Sequence, residues 1–174
     1  MGLVVLGKES LDDLQALVEP LFNQVPNANL GPSYPSVPPF TSAQLPAQLS
    51  SQTLKNANRL SISFPIPNTL AAYRSKPEQY VSNLLGHEGT GSLHSELTKR
   101  GWIEGLGAGS QDFDHNTSLF SVELMLTEEG KDHVPEITGL VFAQLDILRS
   151  VEPEAWRYVE QAKVAELAFQ FQEK

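Results

Sequence analysis

Glycine is concentrated in one stretch of this 174-residue chain, where residues 86 to 109 hold seven of its 12 glycines. The stretch opens with GHEGTG at residues 86–91, between two apolar runs, and closes with GLGAG at residues 105–109. Glycine loses more backbone freedom on folding than any other residue, so such a concentration marks tight turns or close approaches of another backbone. The elements around it must therefore be short and joined by turns, and the stretch is the first candidate for a functional site.

The chain begins with a pattern typical of a strand followed by a helix. The β-branched run LVVL at residues 3–6 stops at Gly7 and predicts a buried strand. Ser10 can cap the helix that follows, with Asp12 and Asp13 in the first turn, where the helix dipole favours negative charge. One apolar face is then predicted by residues at helical spacing, namely Leu11, Leu14, Leu17, Val18, Leu21 and Phe22.

Residues 25–58 lose this periodicity and contain half of the 12 prolines. Proline lacks the backbone donor that helices and sheets need, so we expect a proline-rich surface connection that lies over the fold. A short strand near residues 52–55 would fit within it. The alternative is a proline-rich recognition ligand.

The second half of the chain predicts two more strand and helix groups. Residues 60–66 alternate in polarity as a half-buried strand does, and Pro77 opens a helix that reaches the glycine stretch. A further helix starts near Ser92 and ends at Gly101. Residues 102–111 and 117–126 predict an antiparallel hairpin, and two helices follow from Thr127 and Pro153.

The resulting order of elements is β-α-β-α-α-β-β-α-α. This order favours an α+β fold, a two-layer sandwich with helices on one face of a mostly antiparallel sheet. With 40% hydrophobic residues, the chain is long enough to form one domain over residues 1–174.

The charge balance limits the partners. Twelve basic and 21 acidic residues give a net charge of −9, which repels a phosphate backbone and an anionic membrane surface. We therefore expect neither nucleic acid nor a membrane as partner. The absence of cysteine excludes disulfides, thiolate metal sites and a cysteine nucleophile.

No self-sufficient active site is visible in the sequence. A zinc peptidase needs His-Glu-x-x-His or its inverse, and His87-Glu88 has Gly91 at the fifth position. The four histidines lack ligand spacing, so surface or capping roles fit them better. The sequence also lacks the nucleophile motif of serine hydrolases, a P-loop and a dinucleotide-binding fingerprint. Glu123 is interpreted as a solvated side chain.

The glycines after the turn suggest binding instead of catalysis. Gly105, Gly107 and Gly109 occupy every second residue, so one face of their strand carries no side chains. A helix of the same domain could cover that face, or a peptide could add to the strand by β-augmentation. Glu88, beside glycine N–H groups, could then meet the α-amino end of the peptide.

Several segments, taken in order, resemble one family. They are LVVLGKESLD from residue 3, FPIP from residue 64, KPxxY from residue 76, LGHEGxGSL from residue 85, KxGW from residue 99 and LTEEG from residue 126. This series resembles the second domain of the insulinase and pitrilysin family of inverzincin zinc metallopeptidases. The likeness covers nearly the whole chain.

The resemblance implies that the catalytic His-x-x-Glu-His, and with it the zinc, lies in a preceding domain of a longer parent chain. This chain would then be a non-catalytic fragment without a cofactor of its own, whose partners are peptide substrates and the parent's other domains. It also implies an exosite that anchors the N-terminal end of the substrate, at Gly86, Glu88, Leu106, Gly107, Ala108 and Gly109. The sequence departs from the family at Asn83 and at Gly107-Ala108, which bears on peptide preference.

Bacterial relatives are often periplasmic, so we expect that location over a cytoplasmic one.

Three hypotheses follow. The first is a peptide-holding, non-catalytic domain of a zinc metalloendopeptidase. The second is a purely structural domain that packs on its catalytic neighbour, which a central position of the glycine strand in the sheet would favour. The third, a hydrolase complete in itself, lacks the ligand sets that it would need.

Overall fold

The structure is a computed structural model that describes residues 2–31, 33–34, 37–52 and 57–172. Contacts divide the chain into two compact units, one up to residue 36 and one from residue 37. The expectation of a single domain over residues 1–174 stays a prediction.

The first unit contains α1, Leu11–Phe22, as the periodicity predicts. Ser10 caps it, because its Oγ accepts a hydrogen bond from the Asp13 N–H at 3.2 Å. The strand predicted at residues 3–6 does not form, and these side chains are exposed. A β-branched run becomes a strand only when a neighbouring strand pairs with it, and a local pattern cannot supply that neighbour.

The second unit is built on a three-stranded antiparallel sheet of order β1-β3-β2. Its strands are β1, Asn58–Pro67, β2, Ile103–Asp112, and β3, Thr117–Leu126. Ile62 pairs with Val122 on one side of β3, and Ala108 pairs with Val122 on the other. The predicted hairpin of β2 and β3 is therefore present, and β3 is the central strand of the sheet.

Four α-helices accompany this sheet: α2, Pro77–Leu85, α3, Leu93–Lys99, α4, Val134–Ser150, and α5, Ala155–Gln170. Two 3₁₀ turns are also present: Leu70–Ala72 lies between β1 and α2, and Gly130–His133 lies between β3 and α4. Pro77 occupies the first turn of α2 as predicted, whereas α5 begins two residues after Pro153. No helix of the described residues is long and apolar enough to cross a membrane.

The helices cover one face of the sheet. Along β3, buried Phe120, Val122 and Leu124 alternate with the less buried Ser121 and Glu123. The core that the buried side chains form with the helices comprises Leu85, Leu93, Leu97, Ile103, Phe120, Val122, Leu124, Leu126, Ile137 and Val141. The predicted α+β sandwich with helices on one face is confirmed.

The proline-rich segment has no helix or strand at residues 25–31, 33–34 and 37–52. Within the second unit, its Phe40 ring lies 5.2 Å from the Phe113 ring in the β2–β3 connection. This contact fits the predicted surface connection. Most of the short strand predicted near residues 52–55 falls on residues 53–55, outside the described part of the chain.

A close backbone approach joins the start of β2 to the start of the α4 region. The Thr127 N–H donates to the Trp102 carbonyl at 3.0 Å, and the Gly130 N–H donates to the Thr127 Oγ1 at 2.9 Å. A Cβ on Gly130 would lie 1.9 Å from the Trp102 carbonyl oxygen, a distance that no contact tolerates. Only glycine fits at residue 130 without a backbone shift.

Gly130→Ala should therefore destabilise the chain by roughly 2 kcal/mol, since overpacking against backbone forces that shift. Gly139→Ala, in α4 with no atom within 4 Å of the added Cβ, is the matched control. It should stabilise by about 0.5–1 kcal/mol through helix propensity. Urea unfolding of both variants measures the difference, and equal effects would contradict the close approach.

Candidate functional site

Residues 86–92 form the turn between α2 and α3. The Gly86 N–H donates to the Ser82 carbonyl at 2.9 Å and closes α2, and the Ser92 Oγ accepts from the Ser95 N–H at 3.0 Å and opens α3. Between them Gly91 has φ +84°, a left-handed conformation that side chains disfavour. The glycines of the GHEGTG run thus make a tight turn, as their concentration suggests.

Within this turn the two polar side chains of the His-Glu pair have different roles. The His87 Nδ1 accepts a hydrogen bond from the Gly89 N–H at 3.0 Å, so the imidazole caps the turn. Glu88 is exposed, and in the part of the chain that the structure describes it makes no hydrogen bond or ion pair. Its carboxylate is free to receive a cation from outside.

The histidines do not form a metal site. Across residues 2–31, 33–34, 37–52 and 57–172, no group of three His, Asp or Glu side chains is placed to hold a metal ion. His133 instead stacks on the Trp102 ring at 4.3 Å between centroids.

The glycines of β2 lie on the face of the sheet that has no helices. Gly107 pairs with Glu123 and Gly109 with Ser121, whereas Ala108 pairs with the buried Val122. A Cβ on Gly107 or Gly109 would have no atom within 4 Å, so this face of the strand is bare. Leu106 and Ala108 point the other way and pack against the core.

Strand β2 is an edge of the sheet. Among the described residues it pairs with β3 alone, so its second side carries no strand. In an antiparallel pair, every second residue directs its N–H and C=O away from the partner strand. β2 therefore presents a row of unpaired backbone groups, and it is not the central strand that a purely structural role favours.

The turn and the strand belong to neighbouring elements. Both α2 and α3 contact β2, and they enter and leave the turn that carries Gly86 and Glu88. No hydrogen bond or ion pair among the described residues joins Glu88 to residues 106–109. The predicted residues 106–109 thus lie together on β2. Gly86 and Glu88 lie in the turn between α2 and α3, and these two helices connect the turn to β2.

A depression of about 380 Å³ lies on the bare face, and no sequence pattern predicts it. Its walls come from all three strands and include Arg59, Gly105, Gly107, Glu123 and Met125. Glu123 was interpreted as solvated, but the structure half-buries it. Its Oε1 accepts a hydrogen bond from the Ser61 Oγ, and its Oε2 is buried without a partner among the described residues. Only the strand register, which sets Glu123 opposite Gly107, could have found this residue.

A larger hollow of about 580 Å³ lies where β1 ends, beside the β2–β3 connection. Its lining includes Pro67, Leu70, Tyr73 and Asn116 and contains no Asp, Glu, Lys or Arg. None of the predicted site residues lines it.

The sequence profile of the family described as "Peptidase M16 inactive domain" matches residues 1–163. The chain belongs to this family. The fold agrees, since the crystal structure of pitrilysin superposes with a TM-score of 0.79 at 24% identity over 97% of this chain and 18% of that one.

Relatives of the M16 domain bear the names of peptidases. Insulin-degrading enzyme of Drosophila melanogaster is 37% identical over 175 residues, and that of Homo sapiens is 38% identical. A nardilysin-like protein of Arabidopsis thaliana is 35% identical over 179 residues. Each match covers the whole of this chain but only 17–18% of the relative, so the chain spans less than a fifth of their length.

The left-handed backbone of Gly91, in the turn between α2 and α3, predicts how substitution changes the free energy of unfolding. Gly91→Ala should cost about 1 kcal/mol, because the left-handed backbone brings Cβ against the following carbonyl. Gly107→Ala, in open space on β2, should be neutral or slightly stabilising. Urea midpoints of the two variants test this, and an unaffected Gly91→Ala would contradict the left-handed turn.

Proposed function

We propose that this chain is a non-catalytic, substrate-holding domain of a longer zinc metalloendopeptidase, and that it anchors the N-terminal end of peptides by β-augmentation. The observation that carries the proposal is the position of β2, a glycine-rich strand at the sheet edge with one face bare. The family description of an inactive peptidase domain supports the non-catalytic part. The names of its relatives support a peptidase as the parent.

In this proposal the backbone of β2 forms the main contact. Leu106, Gly107, Ala108 and Gly109 donate and accept the hydrogen bonds of an added strand, which gives affinity with little dependence on sequence. The absence of side chains at Gly107 and Gly109 removes steric limits on the peptide's outward-facing residues.

In this proposal the turn at residues 86–92 supplies a negative charge, which sets the direction of the bound peptide. Glu88 carries an exposed carboxylate without an internal partner, beside a turn that begins at Gly86. A peptide whose α-amino group reaches Glu88 gains a charge-assisted hydrogen bond that the uncharged backbone N–H of an internal segment could not make. Such a contact orients the substrate from its N-terminus.

Zinc and the catalytic base belong, in this proposal, to another domain of the parent. The histidines of this chain do not converge, and His87 and His133 are engaged in a turn and a ring stack. The chain's role is to hold the peptide while that domain cuts it.

A second candidate, a domain that packs on the parent's other domains, is favoured by α5. This helix has no buried residue, and its exposed apolar side chains include Trp156, Val164, Leu167 and Phe169. A helix with exposed apolar residues of this size is typical of an interface. The two candidates use different surfaces and are compatible.

Removal of the peptide's positive charge should weaken binding. A short extended peptide with a free α-amino group should bind about fivefold more tightly than its N-acetylated twin, because one charge-assisted hydrogen bond is lost. Isothermal titration measures both. In Glu88→Gln the difference should vanish, whereas in Glu166→Gln, the same charge change on exposed α5, it should persist. Equal binding of the twins to the unmodified chain would exclude the role of Glu88.

Strand addition also predicts a period of two in hydrogen exchange. Alternate amides of residues 105–111 should exchange fast in the free chain and become protected by the peptide, since only every second N–H faces the open edge. Peptides N-methylated at alternate positions should lose binding with the same period. Uniform protection, or none, would contradict β-augmentation.

A further inference from the structure

The bare face of β2 leaves a direct path from the sheet edge to Glu123. A peptide strand added to β2 lies two inter-strand spacings from β3, roughly 10 Å. In an ordinary sheet the side chains of the intervening strand fill that space. Here the residue directly opposite Glu123 is Gly107, and a Cβ there would meet nothing within 4 Å.

One oxygen of the carboxylate at the end of this path lacks a hydrogen-bond partner among the described residues. Glu123 Oε1 accepts from Ser61 on the β1 side, while Oε2 is buried and unpaired in the described structure. A buried carboxylate oxygen without a donor is costly, and a cation or strong donor removes that cost. Glu123 lines the depression on the bare face, and its register partner on β2 is Gly107, which has no side chain.

The other charged group of the depression does not satisfy Glu123. Arg59 lines the same hollow from β1, but no ion pair between the two is present in the described part of the chain. Arg59 is exposed, and its register partner on β3 is Met125. Arg59 comes from β1, whereas a peptide added to β2 would approach Glu123 from the opposite side of β3.

We propose that Glu123 selects peptides with a lysine or arginine on the outward face, whose side chain crosses the glycine strand and pairs with the Glu123 carboxylate. This inference rests on the proposed function and names the class of peptide that β2 holds best. A long methylene stem suits the path, because apolar carbon can lie over bare backbone while the charged end reaches the carboxylate. Short or acidic side chains at that position gain nothing.

The selectivity must follow the strand period. Successive residues of an added strand point to opposite faces, so only every second peptide residue lies on the bare side. A basic residue on the intervening positions faces the helix layer, away from Glu123. The preference therefore differs from general attraction of cations to a chain of charge −9, which has no such period.

A lysine scan tests the proposal. The reference is a short threonine and valine peptide with a free α-amino group, and lysine replaces each residue in turn. Isothermal titration should show about a fivefold gain in affinity at alternate positions, with the largest gain at the residue opposite Gly107, and no gain at the positions between. Acetylation of that lysine, which keeps the stem and removes the charge, should abolish the gain.

Variants of the protein locate the effect. The ratio of affinities for the lysine and reference peptides should fall to about one in Glu123→Gln, and also in Gly107→Val, which fills the path with a β-branched side chain. The ratio should persist in Glu166→Gln. Circular dichroism confirms that each variant is folded, and the ratio corrects for any general change in peptide affinity.

The outcomes separate this inference from the function on which it depends. If the reference peptide binds but the lysine gain is absent, equal at all positions or unchanged in Glu123→Gln, the role of Glu123 is excluded and β-augmentation stands. If no peptide of the series binds, both are overturned.

Discussion

The second unit depends on β3, which is hydrogen-bonded to a strand on each side. Ten residues of β1 and most of β2 pair with it in antiparallel register. Its alternating pattern assigns Phe120, Val122 and Leu124 to the core and Ser121 and Glu123 to the opposite face. Because side chains alternate strictly along a strand, a shift by one residue would expose the core and bury the acid. The same register that stabilises the core thus fixes which groups stand beside the glycine strand.

An edge strand poor in side chains carries a risk of aggregation, because unpaired backbone groups can pair with other molecules. Two features limit that risk here. The helices α2 and α3 contact β2 and hold it in the sheet, and a net charge of −9 repels a second copy of the chain. Neither feature opposes a short cationic peptide. The edge is thus protected against self-association more than against the class of ligand that we propose for it.

Local signals predicted local structure well. Ser10 and Ser92 cap their helices as their sequence positions suggest, and residues 117–126 form β3 with the predicted bounds. These features depend on neighbours a few residues away. The order of helices and strands from β1 to α5, and hence the α+β class, also followed from periodicity.

Features that depend on distant residues were not predictable in this way. The run at residues 3–6 has the composition of a strand but no pairing partner, and α5 begins later than its proline suggests. The register shift between Ile103 and Gly105 and the pairing of Gly107 with Glu123 follow from how two strands meet. The candidate turn and strand came from the family resemblance together with the glycine pattern, and the structure connects them through α2 and α3.

The bare face also explains why glycine, and not alanine, suits three alternate positions of β2. No clash requires it, since an added Cβ at Gly107 or Gly109 meets open space, and glycine weakens a strand through its entropy. A feature that stability does not require, and slightly opposes, is best explained by something that approaches from outside. On the helix-free side the approaching group passes over backbone alone until it reaches a carboxylate whose second oxygen has no internal donor. A ligand with a long stem and a positive end, as proposed above, would cover the bare backbone and bring a donor to this carboxylate.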